Sequence, residues 1–487
     1  MIPVATVYHG AVINPRTLTS YDALPNCLLA VSPAGEIEWI VEDVVDSMVQ
    51  EIMFQKGCPD AEIISLKHGE FIIPGFIDTH THAPQVPNLG IGGQYQLLDW
   101  LESCTFPMES KFANVDFARR TYRSVVRRII DCGTTTCCYY GTLHLDATKA
   151  LADIVHEYGQ RAFVGKCNMI RYCPDYYVES SAEQSLAATE ALITYIRSLP
   201  PSNMSDTTTT KSTSDPLIQP IITPRFAISC TSDLLNSLGK LAASDSTLRI
   251  QTHISENPKE VALTKQLFPN SKTYAGVYDD HGLLRENTIL AHAVHLEVAE
   301  MELIAKRKAG VSHCPTSNFH LSSGIASVGE YLDRGIKVGL GTDVSGGFSP
   351  SILTVVQHAS IASKVKGFNP TLNPPKSVHA VSFTDQQLSV ATLLYLATLG
   401  GAHLCCLDHQ VGSFAAGKSF DALIVNVRDD SGNPTLWSGL TENPDLPNRR
   451  KDVLEGMLER FLFCGDDRNI SRVYVQGRFI GGKEFKK

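Results

Sequence analysis

Long basic runs are missing from this chain of 487 residues; its basic groups come in short clusters such as Arg127-Arg128 and Arg449-Arg450-Lys451. Lys and Arg number 42 against 51 Asp and Glu, a net charge of -9. A mildly acidic surface repels phosphates, so a nucleic-acid partner is not expected. No stretch approaches the roughly 20 apolar residues needed to cross a bilayer. The opening Met1-Ile-Pro-Val-Ala-Thr-Val has no basic segment followed by a long apolar run, and Glu484-Phe-Lys-Lys fits no lipidation or peroxisomal signal. The 13 cysteines are odd in number and lack framework spacing, and most sit in apolar company, as in Thr136-Cys137-Cys138-Tyr139. Reduced thiols in the cytoplasm are the expectation. No repeat of roughly 20–50 residues is evident.

What is present is a globular composition, 43% hydrophobic and 19% charged, with length for one large domain and a smaller one. Residues 1–70 read as short strands broken by Pro, Gly and Asn: Thr6 to Asn14, Cys27 to Ser32 and Ile37 to Val41. The far end is alike, with strand runs from Ala422 to Val427 and from Arg472 to Ile480. Between them the pattern alternates. Strand-like runs start at Phe71, Thr134, Arg161, Ile221, Leu248, Thr288, Gly310 and Ile336, and helical spacing marks 117–132, 182–199 and 296–308. Eight strands with intervening helices predict an α/β fold, a (β/α)8 TIM-like barrel over 71–405. A small β-sandwich domain built from both termini, 1–70 and 406–487, completes the expected architecture. Pro200 to Pro216 (PPSNMSDTTTTKSTSDP) is nearly free of apolar residues. It reads as a mobile surface insertion at 200–216.

Barrel strands carry their chemistry at the C-terminal rim. The first ends in Asp78-Thr79-His80-Thr81-His82. Alternate strand residues face one way, so His80 and His82 can share a centre, and paired imidazoles suit zinc or another borderline divalent ion. A His-x-His alone is a weak signal in a chain with 16 His. Context strengthens it: later strands end in His253-Ile254-Ser255-Glu256, in His292 and in Gly341-Thr342-Asp343.

The segment Pro74-Gly75-Phe76-Ile77-Asp78-Thr79-His80-Thr81-His82 resembles the opening signature of the amidohydrolase superfamily. The resemblance runs over about residues 1–30 and 65–480 and leaves out 200–216. Within the superfamily it is to the guanine-deaminating members, on His82-Ala83-Pro84-Gln85, Arg225-Phe226-Ala227, His253-Ile254-Ser255-Glu256-Asn257, His313-Cys314-Pro315-Thr316-Ser317-Asn318 and Gly341-Thr342-Asp343-Val344-Ser345-Gly346-Gly347. Binuclear relatives carry a carboxylated Lys at the end of the fourth strand. Here that strand reads Thr223-Pro224-Arg225-Phe226-Ala227-Ile228, and Lys166 follows the third strand, where an ion pair or an exposed amine is the plainer role. A mononuclear site is expected.

The resemblance implies His80, His82, His253 and Asp343 as ligands of one zinc ion per chain, with iron the other ion such ligands accept. It implies a homodimer, and hydrolysis of guanine to xanthine and ammonia in purine catabolism and salvage. Glu256 is expected to carry a proton from a zinc-activated water to N3 of guanine, Asp343 to shuttle one to the departing amine, and His292 to orient the hydroxide. Substrate contacts are expected from His82, Ala83, Pro84, Gln85, Arg225, Phe226, His253, Glu256 and Asp343. Guanine offers O6 and N7 as acceptors and N1–H as a donor; the Arg225 fork donates, the Gln85 amide does both, and Phe226 can cover the ring. In the loop after the first strand, Trp100 and Gly92-Gly93-Gln94-Tyr95 could close over the base or simply pack. Two rivals stand: an aminohydrolase for another ring, such as cytosine, a triazine or an adenosine-type substrate, and a catalytically silent barrel used as a scaffold. A cytidine-deaminase type of zinc site is excluded, because His295-Leu296-Glu297 has no Pro-Cys-x-x-Cys to complete it.

Overall fold

The computed structural model describes residues 6–201, 216–368, 382–384, 386–436 and 450–486. The 200–216 insertion lies almost wholly outside them.

Eight parallel strands follow one another around a barrel: Phe76–His82, Thr134–Tyr140, Arg161–Gly165, Ile218–Pro224, Arg249–Ile254, Thr288–His292, Gly310–His313 and Lys337–Leu340. Nearly every residue in them is buried, because helices cover the outside and side chains fill the inside. The ring closes between the last strand and the first. Thr79 Oγ1 donates to the Leu340 carbonyl at 2.8 Å and Asp343 N–H to the His80 carbonyl at 2.8 Å. Gly341 allows this approach, since a Cβ there would stand 2.8 Å from His80 Cβ.

The helices bind through apolar stripes. Val115–Asp131 begins where the Asn114 side chain accepts the Phe117 N–H at 3.0 Å, a cap for one orphan donor. It buries Ala118, Tyr122, Val125, Val126, Ile129 and Ile130, three and four residues apart, against the barrel. Ala182–Arg197 and Val298–Arg307 match the helical spacing in the sequence to within two residues at each end.

Both termini build one eight-stranded sheet, ordered Arg478–Gly481, Ile470–Val475, Ala422–Asn426, Glu70–Pro74, Thr6–Thr17, Ser20–Val31 and Ile37–Glu42, with Glu62–Ser65 also pairing Thr6–Thr17. Alternation sorts its two faces. Phe71, Ile73 and Leu423 join the barrel core, while Ile72, Ile424, Tyr8 and Phe420 form a separate cluster on the other side. Arg161, buried at the foot of the third barrel strand, fastens the two bodies: its Nε donates to Asp421 Oδ2 at 2.9 Å and its Nη2 to Ser419 Oγ at 3.2 Å.

Two strand expectations need correction. The run beginning at Phe71 is not one barrel strand. Pro74 has no N–H to continue the ladder, and Gly75 crosses over, its N–H on the Asp421 carbonyl at 3.0 Å, so Glu70–Pro74 belongs to the terminal sheet and only Phe76–His82 to the barrel. The run from Arg472 to Ile480 is a hairpin. Gln476 and Gly477 both have positive φ, 50° and 70°, the pair of left-handed residues that a tight two-residue turn requires.

Candidate metal centre and substrate pocket

His80 and His82 leave the first strand on the same side, as period-2 geometry demands. His253 comes from the fifth strand, and Asp343 from just beyond the eighth. One ligand atom from each of the four lies within 4.8 Å of every other, and all four residues are buried. His82 Nε2 stands 3.1 Å from His253 Nε2 and 3.4 Å from Asp343 Oδ1, and His80 Nε2 3.1 Å from that same oxygen. With ligand bonds of about 2.0–2.1 Å, tetrahedral ligands stand roughly 3.4 Å apart, so the spacing fits a zinc-sized ion.

The hydrogen-bond inventory leads to the same fit. Among the described residues, the buried Nε2 of His80, 3.1 Å from Asp343 Oδ1, makes no hydrogen bond of good geometry, and the Nε2 of His82 meets another ring nitrogen, His253 Nε2, at 3.1 Å. Buried polar atoms are ordinarily satisfied; a cluster that is not, with lone pairs converging, is suited to a cation. Burial, together with the neighbouring His80, drives His82 and His253 well below the ordinary imidazole range, so they are neutral and offer lone pairs. Burial works against the charge on Asp343, but His292 and His80 outweigh it and hold the carboxylate low. The second nitrogen of His253 is anchored, its Nδ1 lying 2.5 Å from the Arg225 carbonyl, which aims Nε2 at the cluster.

Asp78 holds the rim together. Its carboxylate accepts from the backbone of His80 (3.1 Å) and Thr342 (3.0 Å) and from the hydroxyls of Thr81 (2.8 Å) and Thr342 (2.5 Å). Left-handed backbone at four non-glycine residues marks the same rim: Ser255, His292, Ala293 and Asp343 have φ of 48°, 70°, 53° and 46°. Such strain concentrates where side chains must be aimed.

Beside the ligand cluster lie the expected acid–base groups. His292 Nε2 is 3.4 Å from Glu256 Oε2 and 3.6 Å from Asp343 Oδ2, and its Nδ1 is held 3.0 Å from Asn318 Oδ1. Glu256 immediately precedes a capped helix, Pro258–Leu267, whose Glu260 carboxylate accepts the backbone N–H of Glu256 (2.8 Å) and of Asn257 (3.2 Å). The cap therefore fixes where Glu256 points. Burial raises the Glu256 carboxyl above its ordinary range, as suits a group that gives and takes protons near neutrality.

The substrate-side residues assemble around one unforeseen group, Glu109. Arg225 Nη1 donates to its Oε2 at 2.7 Å and Nη2 to its Oε1 at 3.1 Å. Gln85 Nε2 donates to Oε1 at 2.8 Å, and Gln85 Oε1 accepts the Ser345 N–H at 3.2 Å. Burial disfavours the Arg225 charge, yet the facing carboxylate overrides it and holds the guanidinium above its usual value. Ala83 and Pro84 are buried in the short 3-10 turn Ala83–Asn88 that lifts Gln85 into place. Phe226 stands edge-on to His253, ring centroids 5.8 Å apart. Trp100 packs with Leu97, Phe106, Tyr177 and Phe226 in a buried wall, so it supports the pocket from behind. Lys166 is turned away from the centre, its Nζ donating to Glu179 Oε1 at 2.5 Å and to the Cys167 carbonyl at 2.8 Å.

Comparison with known proteins matches residues 71–480 to the amidohydrolase family. A probable guanine deaminase of Schizosaccharomyces pombe is 46% identical over 93% of this chain and 79% of its own length. The guanine deaminase of Homo sapiens is 37% identical over 99% of this chain and 97% of its own. Among solved structures, a crystal structure of guanine deaminase from C. acetobutylicum with bound guanine in the active site superposes with a TM-score of 0.80 at 36% identity, covering 98% of this chain and 99% of that one.

Proposed function

The chain belongs to the amidohydrolase family, among its guanine deaminases, and from that premise we infer that it hydrolyses guanine at C2 to xanthine and ammonia. The observation that carries this reading is the cluster of buried lone pairs on His80, His82, His253 and Asp343 next to a donor-bearing pocket of Arg225 and Gln85. Those four residues would hold one divalent cation, and zinc suits their three nitrogens and one carboxylate. A cation held there supplies Lewis acidity and lowers the pKa of a coordinated water from about 16 toward 7.

The chain's own groups then move protons at stated atoms. Glu256 takes one from the attacking water and delivers it to N3 of the purine, which makes C2 electrophilic. The water oxygen bonds to C2. Asp343 relays the remaining hydroxyl proton to the 2-amino nitrogen, the C2–N bond breaks, ammonia departs and the C2 carbonyl forms. His292, within 3.6 Å of both carboxylates, orients the attacking oxygen and stabilises its charge. Phe226 packs on the ring, and Arg225 and Gln85 address the O6 and N1–H edge.

All 13 cysteines are free thiols, which supports a reducing, cytoplasmic setting. A homodimer is supported by the family resemblance, and light scattering reads it directly. No helix among the described residues is long and apolar enough to cross a membrane. The test is to incubate the zinc-loaded protein with guanine and follow xanthine by absorbance, with and without a chelator. Xanthine that appears only with metal is the expected result. No xanthine, while another amino-substituted ring is deaminated under the same conditions, rejects the substrate.

A further inference from the structure

We propose that Glu109 is a positioning residue that decides which purine the pocket accepts, by fixing the polarity of Arg225 and Gln85. This inference rests on the guanine reading and deepens it.

Glu109 ends the short helix Phe106–Glu109, far in sequence from every strand-end motif, and is fully buried. Its two oxygens receive four donors: Arg225 Nη1 and Tyr177 OH on Oε2, at 2.7 and 2.6 Å, and Arg225 Nη2 and Gln85 Nε2 on Oε1, at 3.1 and 2.8 Å. An ionised carboxylate has about four acceptor sites and no donor, so Glu109 is saturated and has nothing left to offer a ligand. It acts only through what it holds.

What it holds is orientation. An amide can turn end for end, and its two ends are chemically opposite. A carboxylate only accepts, so the Gln85 NH2 must face Glu109, and the Gln85 carbonyl then meets the Ser345 N–H at 3.2 Å. The guanidinium is likewise fixed by a two-point grip. Among the described residues, the buried Nε of Arg225 has no hydrogen-bond partner. The polar valences that remain are three N–H groups of Arg225 (Nε–H and one on each terminal nitrogen), the second N–H of Gln85 and one lone pair on Gln85 Oε1. Donors beside an acceptor match a purine edge with a carbonyl oxygen beside a protonated ring nitrogen, the O6 and N1–H of guanine. 2,6-Diaminopurine keeps the 2-amino leaving group but reverses that edge, with an amino group at C6 and a bare N1.

The same carboxylate reaches the ligand cluster from two sides. The Arg225 carbonyl anchors His253 Nδ1, and Ser345, held by Gln85, is two residues beyond Asp343. Glu109 thus ties the choice of base to the alignment of the centre that attacks it. An apolar wall of Trp100, Phe106, Tyr177 and Phe226 keeps water from replacing it.

The experiment measures kcat/KM for guanine and for 2,6-diaminopurine in the zinc-loaded wild type, Glu109→Gln and Tyr177→Phe, with metal content measured on each, and xanthine binding by calorimetry. Wild type should prefer guanine by at least about 100-fold, since a site built to pair polar groups rejects the analogue that leaves them unpaired. Glu109→Gln adds an NH2 where only acceptors fit, so Gln85 is free to turn. The preference should fall at least tenfold, KM for guanine should rise more than kcat falls, xanthine should bind at least tenfold more weakly, and zinc content should stay unchanged. Tyr177→Phe removes one donor to the carboxylate and should shift the preference the same way by a smaller factor; it carries the test alone if Glu109→Gln does not fold. An equal loss on both substrates in these variants overturns the proposal and leaves Glu109 a structural residue. A wild type that turns over guanine and 2,6-diaminopurine equally overturns it while leaving the guanine reading intact. A wild type inert toward guanine overturns both.

Discussion

Asp78 and Thr342, 264 positions apart, are joined twice, the Thr342 N–H at 3.0 Å and its hydroxyl at 2.5 Å both donating to the Asp78 carboxylate. This link stitches the end of the first barrel strand to the end of the eighth, between His80 and Asp343. Asp78→Asn keeps the size but turns an amide toward groups that need acceptors. Loss of such a supporting contact should weaken zinc affinity about 10- to 100-fold, read by competition with a chromogenic chelator. Unchanged affinity would mean that the ligands hold their places without it.

Glu256 should matter for turnover and not for metal. Glu256→Gln is expected to lower kcat by about 10²–10⁴-fold with zinc stoichiometry unchanged by elemental analysis. Near-normal turnover in a metal-replete variant would remove Glu256 from the proton path.

Asn318 should act through His292. Its carbonyl oxygen, 3.0 Å from Nδ1, fixes the ring so that Nε2 points between Glu256 and Asp343. Asn318→Leu gives up one hydrogen bond to a group that becomes charged, about 1.5–3 kcal/mol, so kcat should fall roughly 10- to 100-fold with a smaller change in KM. Equal changes in both constants would instead indicate a disturbed pocket.

Arg161 and Asp421 bear on stability alone. Both side chains are nearly inaccessible, 1% and 2% exposed. Arg161→Met strands a buried carboxylate and should cost about 3–5 kcal/mol, measured by urea unfolding of the metal-loaded protein. A loss below about 1 kcal/mol would show that apolar packing alone seats the sheet on the barrel.

The legibility of the sequence follows the same physics. His80, His82, His253, His292 and Asp343 could be read because each falls at the end of a strand with a clear apolar run, and the barrel brings strand ends together. Asn318 sat inside a quoted motif, so a polar partner for His292 was within reach of the sequence. Glu109 was not. It lies in the irregular helical stretch from Leu97 to Ala113, without strand, alternation or spacing to single it out, and its importance comes only from residues 24 and 116 positions away that converge on it. The break at Pro74-Gly75 was visible as residues, but which sheet each half joins depends on Asp421, far along the chain. Arg225 reads in the sequence as a base contact. The fold also pairs it with Glu109, and the guanidinium can serve both ends because Glu109 takes only two of its five N–H donors.

The sheet made from both ends of the chain has a consequence for biosynthesis. Glu70–Pro74 lies between Thr6–Thr17 and Ala422–Asn426, so one edge of it stays bare until the ribosome has added some 350 more residues. At about 5–20 residues per second that is roughly 20–70 s, an interval in which an apolar edge strand is available to any neighbouring nascent chain. Chaperone demand during translation should therefore track the elongation rate across the barrel segment more than the stability of the finished protein.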